Sequence, residues 1–259
     1  MEGLAPHFFT TRDWPLGASV GGDGGEAWAE IAAAVPVDVN RLIRVQQVHG
    51  AGVLVWRAGD VRWPARPQAD IIINSDPAVA LAVQSADCVP LLFVDQRTGA
   101  VAAAHAGWRG LAARVPRATV EALGRELGSR PVDLIVAVGP SIGACCYEVG
   151  ADVRGRFEAA GFSQADLDRW SRARPQPTAA NPSMAGMPSS TRPDHWYFDC
   201  WSATRDGLVE AGVPRAQIFS ADLCTASHPR AFCSYRRDGS PAGRMAAVIE
   251  VTSAGRTSS

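Results

Sequence analysis

No lysine occurs among the 259 residues: all 25 basic side chains are arginine, set against 26 acidic ones, for a formal net charge of -1. The choice of arginine, beside an apolar set that leans on Ala and Val, reads as coding composition rather than function. The balance of charge excludes a global electrostatic pull toward nucleic acid or an anionic membrane. No apolar run approaches the roughly 18 residues of a membrane-spanning helix. No N-terminal stretch joins a basic start, an apolar core and a small-residue cleavage site, so a cytoplasmic protein is expected. Its six cysteines are then expected as reduced thiols, with the adjacent Cys145 and Cys146 as the pair open to redox chemistry. The helical zinc-protease pair His-Glu-x-x-His is absent, as is the cytidine-deaminase signature His-x-Glu with Pro-Cys-x-x-Cys. Two strings that do occur, GASVG at 17–21 and GDGGEA at 22–27, lack the preceding strand that a nucleophile elbow or a dinucleotide fingerprint requires, and both read as loop.

What is present is an ordinary globular composition, 47% apolar and 20% charged, long enough for a sizeable core. Between about 52 and 138 the runs GVLVW, ADIIIN, VALAVQ, PLLFVD and AVAAAHA read as strands of a well-covered sheet, broken by Pro, Asp, Asn and Gly. VPRATVEALGRELG reads as a helix stopped by Gly128, and VDLIVAVG at 132–139 as a strand. Residues 150–170 read as helix. Residues 171–193 hold five prolines and no Ile, Leu, Val or Phe, and read as a mobile loop. DCWSATRDGLVEAG reads as a helix opened by Asp199 and closed by Gly212, with strands in AQIFSAD and MAAVIEV, and 252–259 as a frayed tail. Strands come in succession before helices, which points to an α+β fold with mixed or antiparallel sheets, organised as one domain over 1–259.

Chemistry concentrates on three residues at the ends of separate apolar stretches: His49 in VQQVHG, Cys88 in SADCVP and His105 in AAAHAGWRG. Any one of them alone reads as a core residue. Together, two imidazoles and a thiolate make a catalytic zinc set, in which three protein ligands leave a fourth position for water or substrate. The same donors suit a single copper ion. A metal-free alternative has His105 activating Cys88 as nucleophile, and a non-catalytic metal-binding role is a third. Gln47 beside His49, Arg109 after His105, and Arg236 and Arg244 in a Gly-bounded segment are candidate substrate contacts, the arginines as forks for phosphate or carboxylate.

The strings FFTTR at 8–12, VQQVHG at 45–50, SADCVPLLF at 85–93, HAGWRG at 105–110, VGPSIGACCYEVG at 138–150, FDCWSATRDGL at 198–208, and FCSYRRDG with GRM at 232–245 resemble the YfiH-like family. That family is also called laccase-like or multicopper polyphenol oxidase, and peptidoglycan editing factor. The resemblance implies layered mixed β-sheets flanked by helices, a zinc site on His49, Cys88 and His105, and purine nucleoside chemistry: phosphorolysis of adenosine, inosine or methylthioadenosine, and deamination of adenosine. On that reading the partners are a small nucleoside and phosphate, with no nucleic acid and no membrane, and a monomer is expected. Arg109 or Arg236 would hold phosphate, and the metal or Asp87 would assist the leaving purine. The editing-factor name implies a rival substrate, a UDP-muramic acid precursor carrying a misincorporated L-Ser. Clustered copper centres need far more imidazoles than the five His here. The chain departs from the family pattern in GASVGGDGGEAW, which is shorter than the usual loop before the first helix.

Overall fold

The computed structural model describes residues 1, 3–14, 16–17, 25–61, 63, 65–184 and 192–252. In chain order its strands and helices are β1 (His7–Phe9), α1 (Gly25–Ala34), β2 (Leu42–Ile43), β3 (Val53–Trp56), β4 (Ile71–Asn74), β5 (Ala80–Ser85), β6 (Val89–Asp95), β7 (Val101–Ala106), α2 (Trp108–Ala112), α3 (Val115–Leu127), β8 (Leu134–Val138), β9 (Glu148–Gly150), α4 (Ala151–Ala159), α5 (Gln164–Trp170), β10 (Ser171–Arg172), β11 (His195–Phe198), α6 (Cys200–Glu210), β12 (Ile218–Ser220), α7 (Tyr235–Asp238) and β13 (Met245–Glu250).

Four layers follow from the period-2 alternation of the strands. A mixed six-stranded sheet runs β12-β8-β6-β7-β4-β3, and a four-stranded sheet runs β1-β13-β5-β2. Between them Ile72, Leu92, Val94 and Ala103 of the larger sheet meet Leu81, Val83, Ala247 and Ile249 of the smaller. On the other face of the larger sheet, Ile71, Ile73, Leu91, Phe93 and Val136 pack under Val120 and Leu123 of α3, Phe157 of α4 and Leu208 of α6. The outer face of the smaller sheet, Ala80, Ala82 and Val248, is covered by Trp28 and Ile31 of α1. The large sheet is thus buried on both faces, which is why its strands read as unbroken apolar runs. At its centre, bulk and smallness alternate across the ladder: Leu91, Leu92 and Phe93 of β6 oppose Ala104, Ala103 and Ala102 of β7. The layered α+β architecture is the one expected from the sequence.

Two expected helix boundaries hold. Asp199 caps α6 by accepting the Ser202 N–H, and Gly128 ends α3 at a φ of 68°, where glycine avoids the Cβ clash of the left-handed region. One expectation changes. The single helix over 150–170 breaks at Gly161, whose φ is 80°, and restarts as α5 behind a capping box between Ser163 and Asp166. The described part of the proline-rich segment is held by hydrogen bonds at several points. Ser171 and Arg172 pair with β11, the Gln176 N–H donates to the Ala144 carbonyl, and the Asn181 side chain bridges Asp222 and Cys224. Residues 18–24, which hold most of the GASVG string and the first half of GDGGEA, and all but the first residue of the expected tail lie outside the described residues. Among the described residues no helix is long and apolar enough to cross a membrane.

Candidate metal centre

The larger sheet and its neighbour deliver their chemistry to one edge. β7 ends on His105 and Ala106. The turn Ala86–Cys88 joins β5 to β6, and the loop between β2 and β3 carries His49. One ligand atom from each of His49, Cys88 and His105 lies within 4.8 Å of the others, and the two imidazoles meet edge to face with ring centroids 4.9 Å apart. His105 is buried, Cys88 half-buried and His49 exposed, so the cluster sits at the floor of an open depression. Gly107 closes the back of it: a Cβ there would fall 2.8 Å from Cys88 Sγ and 3.2 Å from His49 Cδ2. The sequence needs glycine at this position for space, since its φ of -69° suits any residue.

Asp70 organises the three. Its carboxylate, fully buried at the head of the apolar run IIIN, accepts the N–H groups of Val48, His49 and Gly50 at 3.2, 3.0 and 2.7 Å. It also accepts His105 Nδ1–H at 2.9 Å. The first three bonds hold His49 at a φ of 61°, a left-handed conformation that costs a non-glycine residue roughly 1–3 kcal/mol. The fourth fixes the His105 tautomer and turns its Nε2 toward Cys88 and His49, the carboxylate–histidine arrangement that orients metal ligands. Burial by itself raises the Asp70 carboxyl, but these bonds outweigh it and keep the group ionised, below the ordinary range. Asp70 is missing from the sequence reading, where it passed as the polar edge of a strand. The signal was a carboxylate directly preceding three isoleucines.

Electrostatics prepare a thiolate. Burial pushes the Cys88 thiol up, but the His105 charge and hydrogen bonds from both imidazoles pull it down to about 6. Burial would lower His105, and the facing Cys88 charge with the Asp70 bond raises it to about 9. A divalent ion in place of the imidazolium proton is compensated in the same way. A soft thiolate, two imidazoles and an oriented outer carboxylate are a donor set that fits zinc or a single copper ion.

The depression opens into a cleft of about 850 Å³ lined by all seven expected site residues, together with Arg66, Trp108, Tyr147 and Tyr235, a size suited to a small-molecule ligand. Arg109 stacks its guanidinium 4.1 Å over the Trp108 ring. Arg236 donates to the Glu148 carbonyl at 2.7 Å and lies 5.0 Å from the Tyr147 ring centre. Arg244 donates to the Ala242 and Gly243 carbonyls. Gln47 lines the cleft and also holds its wall. Its amide clamps the Gln84 backbone, donating to the carbonyl at 2.8 Å and accepting the N–H at 2.7 Å, so it braces the His49 loop against β5. Asp87 is likewise engaged at the cleft: Oδ1 accepts from Thr225 and Oδ2 from the Arg236 backbone N–H, each at 2.6 Å. Its carboxylate anchors α7, and with it Arg236, at the cleft.

Residues 23–252 match the family described as multi-copper polyphenol oxidoreductase laccase. The chain is similar to a purine nucleoside phosphorylase of Deinococcus radiodurans, 34% identical over 94% of this chain and 88% of that one. It is also similar to adenosine deaminase RL5 of an unknown prokaryotic organism, 32% identical over 85% and 78%. The crystal structure of the Bacillus licheniformis hypothetical protein YfiH superposes with a TM-score of 0.81 at 26% identity, covering 96% of this chain and 93% of that one.

Proposed function

Because the chain belongs to the multi-copper polyphenol oxidoreductase laccase family, we propose that it is a zinc-dependent purine nucleoside phosphorylase that also deaminates adenosine. The observation that carries this reading is the meeting of His49, Cys88 and His105 on the floor of a cleft rimmed by Arg66, Arg109, Arg236 and Arg244. The relatives named for these two reactions support it. Oxidation at clustered copper centres is disfavoured by the count of five histidines, two of which, with one cysteine, make a single-ion site.

His49, Cys88 and His105 hold the ion, which supplies a Lewis acid beside the substrate. Arg109 and Arg236 bind the phosphate dianion by paired N–H donors. A guanidinium carries five, and the bond from Arg236 to Glu148 uses one while fixing its plane. Trp108, Tyr147 and Tyr235 offer aromatic faces for the flat purine. Phosphorolysis joins a phosphate oxygen to ribose C1 as the C1–N9 bond breaks, and the purine leaves with a proton. Deamination replaces the C6 amino group by water oxygen and releases ammonia.

The test is two incubations of zinc-loaded protein, one with adenosine and phosphate, the other with a UDP-muramoyl-L-serine precursor. Adenine with ribose 1-phosphate, or inosine with ammonia, appears in the first tube on this reading. Serine release confined to the second would replace it with an editing hydrolase.

A further inference from the structure

The metal centre uses one of six cysteines, and three of the others converge elsewhere. Cys145 and Cys146 lie in the turn between β8 and β9, and Cys224 lies just past β12. The isolated bridge between Ser141 and Cys224 brings these two stretches together. The three sulfurs lie within 4.8 Å of one another, and all three residues are buried.

Three cysteines in a core can be small apolar filler, but here a backbone donor reaches one sulfur and hydrogen bonds hold the chain around all three. The Gly143 N–H donates to Cys224 Sγ at 3.3 Å, a bond that favours a thiolate. Gly143 can approach because it has no side chain: a Cβ would sit 2.6 Å from the Trp201 ring. That indole in turn donates to Ser141 Oγ at 2.8 Å. Asn181 accepts the Cys224 N–H at 2.7 Å and donates to the Asp222 carbonyl at 2.8 Å, and the Cys146 thiol points to the Pro182 carbonyl at 3.8 Å. Four stretches of chain, 141–147, 176–184, 201 and 222–227, are thereby fixed around one sulfur triangle. Its other neighbours are Ile142, Ala226, Tyr147 and Met184.

We propose that Cys145, Cys146 and Cys224 form a second metal site that takes a soft monovalent ion of the Cu(I) class through its three sulfurs, with the Met184 thioether packed beside them. A structural zinc site is closed by four protein ligands, and a three-ligand catalytic site keeps water at the fourth position. Among the described residues this cluster offers three ligand atoms in apolar surroundings. All-sulfur donors without imidazole or carboxylate select Cu(I) over the harder divalent ions. Binding adds no redox step, since the ion enters as Cu(I), displaces whatever thiol protons the sulfurs carry, and releases them to solvent.

The test uses the full chain with Cys88→Ala, which removes the sulfur of the first centre, loaded anaerobically with Cu(I) from a chromogenic chelator and then desalted. The expected result is one Cu(I) retained per chain, with X-ray absorption showing sulfur ligands only, and loss of that copper when Cys145→Ser or Cys224→Ser is added. Each serine change is also made with Cys88 intact, where native near-ultraviolet circular dichroism identifies the variants that fold. Loss of Cu(I) is read on those. Failure of the Cys88→Ala protein to retain copper, nitrogen ligands in the absorption spectrum, or undiminished copper in a folded serine variant overturns the site. None of these readouts involves nucleoside turnover, so the outcome is independent of the function proposed above.

Discussion

Among the described residues stand two clusters of soft donors, built in opposite ways. His49, Cys88 and His105 stand on the floor of an open cleft, mixed in donor type, with a buried carboxylate behind them and arginines in front. Cys145, Cys146 and Cys224 are uniform in type, sealed, and surrounded by apolar side chains and backbone. The difference shows in how each thiol is governed. At the cleft, imidazole charge brings Cys88 down to about 6. In the sealed cluster the sulfurs govern one another: bonds from Cys145 and Cys146 hold Cys224 low, while Cys146 and Cys224 push Cys145 up. An open mixed site is suited to exchanging a ligand at the metal, a closed sulfur site to retaining an ion. The comparison teaches that access and neighbouring charge, rather than the presence of cysteine, separate a reactive centre from a structural one.

The largest effect that would break this contrast is on turnover. Cys88→Ala should abolish zinc retention and reduce nucleoside turnover on the order of a hundredfold or more, whereas Cys146→Ser should leave turnover near that of the parent. Equal losses in zinc content and in adenine release would erase the distinction. Next comes the carboxylate that the sulfur cluster lacks. Asp70→Asn should weaken zinc binding by about 10- to 100-fold in a chelator competition. It should also destabilise the protein by roughly 1–3 kcal/mol in a denaturant melt, because an amide cannot match a carboxylate receiving four N–H donors. Unchanged zinc affinity would show that His105 needs no orientation from behind.

A smaller effect tests the glycines at the backs of the two sites. Gly107→Ala crowds Cys88 and His49, and Gly143→Ala crowds the Trp201 ring. Each should cost about 1–3 kcal/mol by overpacking, and only the first should lower zinc content. The smallest effect is on pH. In metal-free protein, alkylation of Cys88 should rise with a midpoint near pH 6, well below the value after unfolding. The lowered Cys88 gives stability that is lost as pH falls through about 6. The raised His105 gives stability that is lost as pH rises through about 9. Between the ordinary histidine value and about 9 the two slopes oppose, so the metal-free melting temperature should stay level over that window while alkylation already runs at its plateau. A melting temperature that climbs steadily across it would mean that the two groups do not form a pair.

The amino-acid order alone determined the elements whose causes are local. The apolar runs became strands, Asp199 and Gly128 bounded their helices, and the succession of strands before helices indicated an α+β fold. It also marked His49, Cys88 and His105, since rare residues at strand ends are visible without coordinates. Tertiary structure decided what depends on distant partners. Asp70 gathers backbone from 48–50 and a side chain from 105, contacts up to 35 residues away in the chain. Gln47 took on a bracing role because Gln84 lies across from it, and Asp87 an anchoring one because Thr225 and α7 fold onto it. Cys224 joined a pair some eighty residues earlier. Local propensity and periodicity report on neighbours within a few turns of chain, whereas a hydrogen bond or a sulfur contact between remote segments exists only once packing has brought them within reach.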